Sequence, residues 1–259
     1  MGVGVWSPLP TMFHNIGELL VLFWRTLLAL PLTLRHRQKV FDQLFEIGNA
    51  SLLMACILSL FIGGVLSLQT GPVLAERGLA SLLGGIVGLS ICKELGPVMM
   101  SILIAGRIGS AMAAEIGSMR VYQEIDALRT MNINPIHYLV LPRLVAISIA
   151  LPMLVLFAVL TGWLGGALVA VYNEKIAITF PTFYNYLSDV VEVGDIVNGL
   201  FKSFCFAVVI GVVSCQQGLA TIGGPRGIGR SVTKAVVNSI VLILILDYFL
   251  TRMLLYFEK

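Results

Sequence analysis

The chain has 259 residues, 58% of them hydrophobic and only 12% charged, with a formal net charge of +3. Its mean hydropathy is +0.94. These values exclude a soluble globular protein and leave room for five or six membrane spans of ~20 residues. No stretch between the apolar segments is long enough for a second folded domain. The N-terminus lacks the charged, apolar and small-residue regions of a signal peptide, so it is expected to be retained.

In chain order, residues 16–34 are apolar but carry Glu18, Arg25 and Pro31, and the cluster Arg35-His36-Arg37-Gln38-Lys39 follows. A span here would bury Arg25 near its middle, at roughly 2.5–3.5 kcal/mol on insertion scales. An amphipathic helix lying in the interface, with Trp24 and Arg25 at headgroup depth, costs less. Residues 1–49 are therefore predicted to form a cytoplasmic or interfacial helix region, and 50–259 a five-span domain. The first span covers about 50–68 and the second about 84–105. Residues 106–138 are polar enough to leave the membrane. Within them, 119–131 lacks Gly and Pro and sets Tyr122, Ile125 and Leu128 at helical spacing. This predicts a short amphipathic helix stopped before Asn134-Pro135. Its mixed charge, with Glu124 and Asp126 beside Arg120 and Arg129, suits docking onto another protein.

The third span covers about 144–171, with Pro152 and the small group Gly162, Gly165 and Gly166 permitting a bend or a close helix crossing. An acidic connection, 172–195, leads to a fourth span at about 196–215. A Gly-rich loop over 218–229 precedes the fifth, at about 235–257. With the N-terminus in the cytoplasm, eleven of the 17 Lys and Arg residues fall inside. Five fall outside, Lys202 and Arg252 among them, and Lys93 lies within a span. The positive-inside rule therefore places the N-terminus in the cytoplasm and the C-terminus outside.

The most informative motif is Lys93-Glu94-Leu95-Gly96-Pro97, which sets opposite charges inside an apolar run. Adjacent helical positions differ by ~100° in direction, so both charges cannot face lipid cheaply. Two readings stand: a neutralising pair that pins helix packing, or a polar site in which Lys93 attracts a phosphate headgroup. Asp247, in the fifth span, is read either as a hydrogen bond to a neighbouring helix or as a direct participant. Lys234, at that span's inner end, can snorkel to the headgroups. The segment Gly224-Pro225-Arg226-Gly227-Ile228-Gly229-Arg230-Ser231 looks like a phosphate-binding loop with Arg for Lys. It lacks the preceding buried strand, and Pro225 removes a backbone donor. It is read as a basic interfacial turn, and the chain is not expected to bind ATP itself. Cys56, Cys92, Cys205 and Cys215 show no metal or disulfide spacing and read as small core residues. No hydrolase constellation is present, and His14, His36 and His137 are isolated.

Glu94-Leu95-Gly96-Pro97, Ala105-Gly106-Arg107-Ile108-Gly109-Ser110-Ala111, Ala114-Glu115-Ile116-Gly117 and Gln123-Glu124-Ile125-Asp126-Ala127-Leu128 occur in close succession, followed by Leu141-Pro142-Arg143. In these blocks the chain resembles the MlaE permease family, from about Phe41 to the C-terminus. That resemblance implies an all-α integral membrane ABC permease with an N-terminal interfacial amphipathic helix and five transmembrane helices. It implies a non-catalytic subunit of a Gram-negative inner-membrane transporter that moves phospholipid and maintains outer-membrane lipid asymmetry. The implied assembly is a homodimer with a cytoplasmic MlaF-like ATPase, an MlaB-like STAS-domain protein and a periplasmic MlaD-like MCE-domain hexamer. ATP would enter through the partner subunit, with no cofactor or metal on this chain. A coupling helix at about 115–131 would use Glu115, Arg120, Glu124 and Asp126. The lipid site would use Leu66, Val73, Leu74, Lys93 and Glu94, with Lys234 further inward. Close relatives can have Arg where Lys93 stands, which changes bidentate phosphate recognition to a point charge. Arg77 stands where a relative has an aromatic residue. Two other readings remain: a proton-coupled secondary transporter relaying through Glu94, and a scaffold anchoring the MCE ring.

Overall fold

The computed structural model describes residues 37–257 together with Gly17, Leu19, residues 21–24, Thr26 and Leu28. From residue 37 the chain is helical with short connections, and no strand occurs among the described residues. The helices are α1 (Arg37–Glu76), α2 (Ala80–Val121), α3 (Glu124–Thr130), α4 (Ile136–Tyr172), α5 (Phe180–Val190), α6 (Val193–Leu219) and α7 (Gly224–Phe257). Helices α1, α2, α4, α6 and α7 are each long and apolar enough to cross a bilayer. They coincide with the five spans expected from the apolar runs, extended at their ends.

Packing divides the chain into two compact units, which are described separately. The first holds the described residues up to 43, with 105–147 and 208–241. Its core gathers Leu22, Ile116, Ile125, Leu139, Val140, Leu144, Val212 and Cys215. The helical residues between 17 and 28 are thus amphipathic in a specific way. Leu19, Leu22 and Phe23 pack into this core, while Trp24 and Leu28 stay exposed. Glu18, Arg25 and Pro31 lie outside the described residues, as does the rest of the 16–34 segment.

Two expectations for this unit need correction, while residues 106–121, expected beyond the membrane, are helical and continue α2 to Val121. The single helix expected over 119–131 is broken at Tyr122-Gln123, where Gln123 adopts a left-handed φ of 62°. The break ends α2 with Tyr122 N–H donating to the Ser118 carbonyl, and Arg120 reaches across it to Asp126 at 2.9 Å. Helix α3 then stops at Asn132, φ 59°, where Ile133 N–H donates back to the Leu128 carbonyl, a left-handed helix end that Asn tolerates. The loop expected over 218–229 shrinks to a short turn, because α7 begins at Gly224. Gly223 and Gly224 supply positive φ for that turn, and Pro225 fits the first helical turn because its missing N–H is not needed there.

The second unit holds residues 44–104, 148–207 and the described residues from 242. It depends on close backbone approach. A Cβ on Gly63 of α1 would overlap the Gly162 carbonyl of α4, and one on Gly165 would overlap that of Leu60. Ser59 Oγ donates to the Ala158 carbonyl at the same crossing. Small residues let two helices meet backbone to backbone. Helix α5 occupies the acidic connection, where no helix was expected; Phe183 and Leu187 are buried and seat against Gly84 and Gly88 of α2.

Candidate functional site

Pro97 organises the site. A proline has no N–H, so the carbonyl four residues earlier, that of Lys93, loses its helical donor, and the ring crowds that carbonyl. Helix α2 responds by widening: Ile91–Leu95 form a π turn in which Gly96 N–H reaches back to the Ile91 carbonyl. Such turns mark functional positions in helices more often than chance. Here the turn carries Lys93 and Glu94. Two further π turns occur, at Ala105–Gly109 and Ile136–Val140, the latter also ending two residues before a proline, Pro142.

The orphaned Lys93 carbonyl is filled from another helix. Lys202 Nζ of α6 donates to it at 3.1 Å, to Glu94 Oε1 at 2.8 Å, to Asp247 Oδ1 at 3.1 Å and to Thr251 Oγ1 at 2.6 Å. Thr251 also donates to Glu94 Oε1, at 3.1 Å. Lys202 is only 2% exposed. A buried ammonium is tolerable when opposite charge and hydrogen bonds surround it, and here both do. Lys93 in turn meets Asp195 of α6 at 2.8 Å. The two charges read as a possible neutralising pair within α2 therefore each meet an opposite charge from another helix.

A cavity of about 290 Å³ opens over this cluster, lined by Leu89, Ser90, Lys93, Glu94, Asn198, Lys202, Thr251, Leu254 and Leu255. The side chains of Lys93 and Glu94 keep 32% and 39% exposure, against 3% for Lys202. An open charged rim over apolar leucine walls is the chemistry of an amphiphile site, in which a few placed polar groups fix orientation.

Of the expected lipid-site residues, Lys93 and Glu94 line the cavity and Leu66, Val73 and Leu74 of α1 do not. Val73 is exposed, while Leu66 and Leu74 are half-buried. Lys234 is exposed and belongs to the first unit. Lys202, Asp195, Asn198 and Thr251 were missed. Lys202 in particular had been counted among outside charges, although it lies within an apolar span. The four cysteines are free, with Cys92 and Cys215 buried and the others half-buried.

The expected coupling residues all lie in the first unit. Glu115 Oε2 accepts from Arg143 Nη2 at 2.8 Å, with Arg143 almost fully buried and Glu115 half-exposed. Asp126 accepts from Arg120 at 2.9 Å and pairs with Arg129 at 3.6 Å. Glu124 is exposed on the first turn of α3.

Comparison with known proteins adds a family. The model of the family described as Permease MlaE matches residues 40–253. A protein of Rickettsia felis named probable ABC transporter permease is 39% identical over 216 residues, covering 83% of this chain and 82% of the relative. A probable ABC transporter permease of Synechocystis is 37% identical, covering 83% of this chain and 81% of the relative. The chloroplastic protein Trigalactosyldiacylglycerol 1 of Arabidopsis thaliana is 36% identical, covering 83% of this chain and 61% of that protein.

Proposed function

The chain belongs to the MlaE permease family, and from that premise we propose that it moves phospholipid as the membrane subunit of an ABC transporter. It is a multi-pass membrane protein and an ABC transporter permease, a transporting rather than a catalytic subunit. The single observation that carries the lipid reading is the cavity in which Lys93 and Glu94 face leucine walls inside an apolar helix set. Phosphate suits an ammonium, and acyl chains suit Leu89, Leu254 and Leu255. The name of the Arabidopsis relative, which contains a glycerolipid, points the same way.

On this reading two copies of the chain form the working unit. Helix α7 supports that: only 17% of its most apolar stretch is buried within one chain, against 56% for α4. A partner ATPase of the MlaF type would seat α3 and its flanking charges, drive the cycle and supply the ATP. MlaB-like and MlaD-like subunits would complete the assembly in a bacterial inner membrane, with the N-terminus in the cytoplasm and lipid exchanged with periplasmic carriers. The cycle would serve outer-membrane lipid asymmetry. The site residues that matter would be Lys93 and Glu94, presented by the π turn and held by Lys202 and Asp195.

The deciding experiment reconstitutes the full complex in proteoliposomes and follows transfer of a fluorescent phospholipid to an acceptor. Transfer should require ATP hydrolysis and persist with a proton uncoupler present. Uncoupler-sensitive transfer without ATP would instead establish a secondary transporter relaying through Glu94, and assembly of the periplasmic ring without transfer would establish a scaffold.

A further inference from the structure

The charges at the cavity are unequal and unequally available, and this bears on which lipid fits. Two ammonium groups, Lys93 and Lys202, pair with three carboxylates: Glu94, which lines the cavity, and Asp195 and Asp247, which do not. Lys202 is buried and has four acceptors for its three protons. It has nothing left to offer an entering headgroup. Lys93 remains a third exposed beside Asp195 and can share its ammonium with a phosphate. Among the described residues, both hydrogen bonds to Glu94 fall on Oε1. Oε2 is therefore the spare acceptor on a side chain that is still 39% exposed. The cavity thus presents one cation and one anion on neighbouring residues of a widened helical turn, over a surplus of one negative charge.

From this complementarity we infer that the cavity selects a zwitterionic glycerophospholipid whose headgroup ends in a primary ammonium. The phosphate sits toward Lys93 and the ammonium donates to Glu94 Oε2. The inference rests on the lipid-permease reading and deepens it. An anionic headgroup brings a second negative charge to a site already in surplus, and like charge is disfavoured. A quaternary ammonium has no N–H to donate and is ordinarily received by a cage of aromatic faces. Among the described residues no Phe, Tyr or Trp lines this cavity; its apolar walls are Leu89, Leu254 and Leu255. A primary ammonium loses nothing by that absence, because its protons find the carboxylate.

The test uses the full complex, exchanged against vesicles holding equal amounts of phosphatidylethanolamine, its mono- and dimethyl derivatives, phosphatidylcholine and phosphatidylglycerol. Retained lipid is then counted by mass spectrometry. Phosphatidylethanolamine should be enriched over phosphatidylcholine by about tenfold, on the scale of one charge-assisted hydrogen bond. Enrichment should fall stepwise with each methyl group, and phosphatidylglycerol should be lowest. Glu94→Gln should flatten the methylation series and raise the phosphatidylglycerol share. If that variant does not assemble, the wild-type series decides alone. Water-soluble phosphoethanolamine should fail to displace bound lipid; equal displacement would overturn the assignment to a lipid. Retention in vesicle proportions would overturn the headgroup inference while leaving the lipid reading intact. No retained lipid at all would sink both.

Discussion

At the scale of single residues, Lys202 is the most consequential side chain. It satisfies the carbonyl that Pro97 orphans, and it pairs with both Glu94 and Asp247 at once. Lys202→Met would leave two carboxylates facing each other without their cation. The carboxylates left behind keep 39% and 21% exposure, so the cost should be about 1–3 kcal/mol, below the figure for a fully buried pair. The thermal unfolding midpoint of the purified chain in detergent should fall accordingly, and Lys202→Met/Glu94→Gln/Asp247→Asn should recover most of the loss. A single variant as stable as wild type would contradict this role. Arg143 and Glu115 form a similar pair, in which the arginine is buried, Glu115 is half-exposed and Nη1 has no partner among the described residues. Glu115→Ala should therefore cost about 1–3 kcal/mol, more than the 0–1 kcal/mol usual for surface pairs. A chemical-denaturation midpoint indistinguishable from wild type would show that water already serves Arg143.

At the scale of elements, α2 is governed by its proline. Pro97→Ala returns an N–H four residues after Lys93, so the carbonyl no longer needs Lys202. In a double-mutant cycle, Pro97→Ala should restore about 1 kcal/mol to Lys202→Met. Strict additivity would mean that Lys202 acts through charge alone. The crossing of α1 and α4 is set differently, by absent side chains. Gly165→Ala drives a methyl group into the Leu60 carbonyl and should cost about 1–3 kcal/mol as overpacking; an unchanged unfolding midpoint would show that the helices part without cost. Much of this was legible in the sequence. The apolar runs located five spans, and Gly162-Gly165-Gly166 announced a close crossing. The widened turn was signalled by Pro97 four residues after Lys93, though the motif was read for its charges alone. Pairing was not legible, because Lys93 and Glu94 find partners on α6 and α7, over a hundred residues away, through crossing geometry that no local pattern encodes. Helix α5 was legible but passed over: Phe180, Phe183, Tyr184 and Leu187 recur at helical spacing, hidden by the acidic residues around them. The break at Gln123 was not, since no Gly or Pro marks it.

At the scale of the whole molecule, the account joins a charged cavity to an energy source on another subunit. Glu124, exposed on the first turn of α3, belongs to the surface proposed to meet the ATPase. Glu124→Lys should reduce ATPase co-purification and lipid transfer several-fold while membrane insertion stays intact. Wild-type capture and full transfer would remove this helix from the interface. The central claim is that lipid occupies the space above Lys93 and Glu94, and photo-crosslinking tests it most directly. The full complex is loaded with a phospholipid carrying a diazirine on its acyl chain, irradiated and mapped by peptide mass spectrometry. The account predicts adducts at Leu89, Leu254 and Leu255 that diminish with Glu94→Gln. Adducts confined to outward-facing residues such as Phe61, Phe157 and Leu160, and indifferent to that substitution, would contradict it.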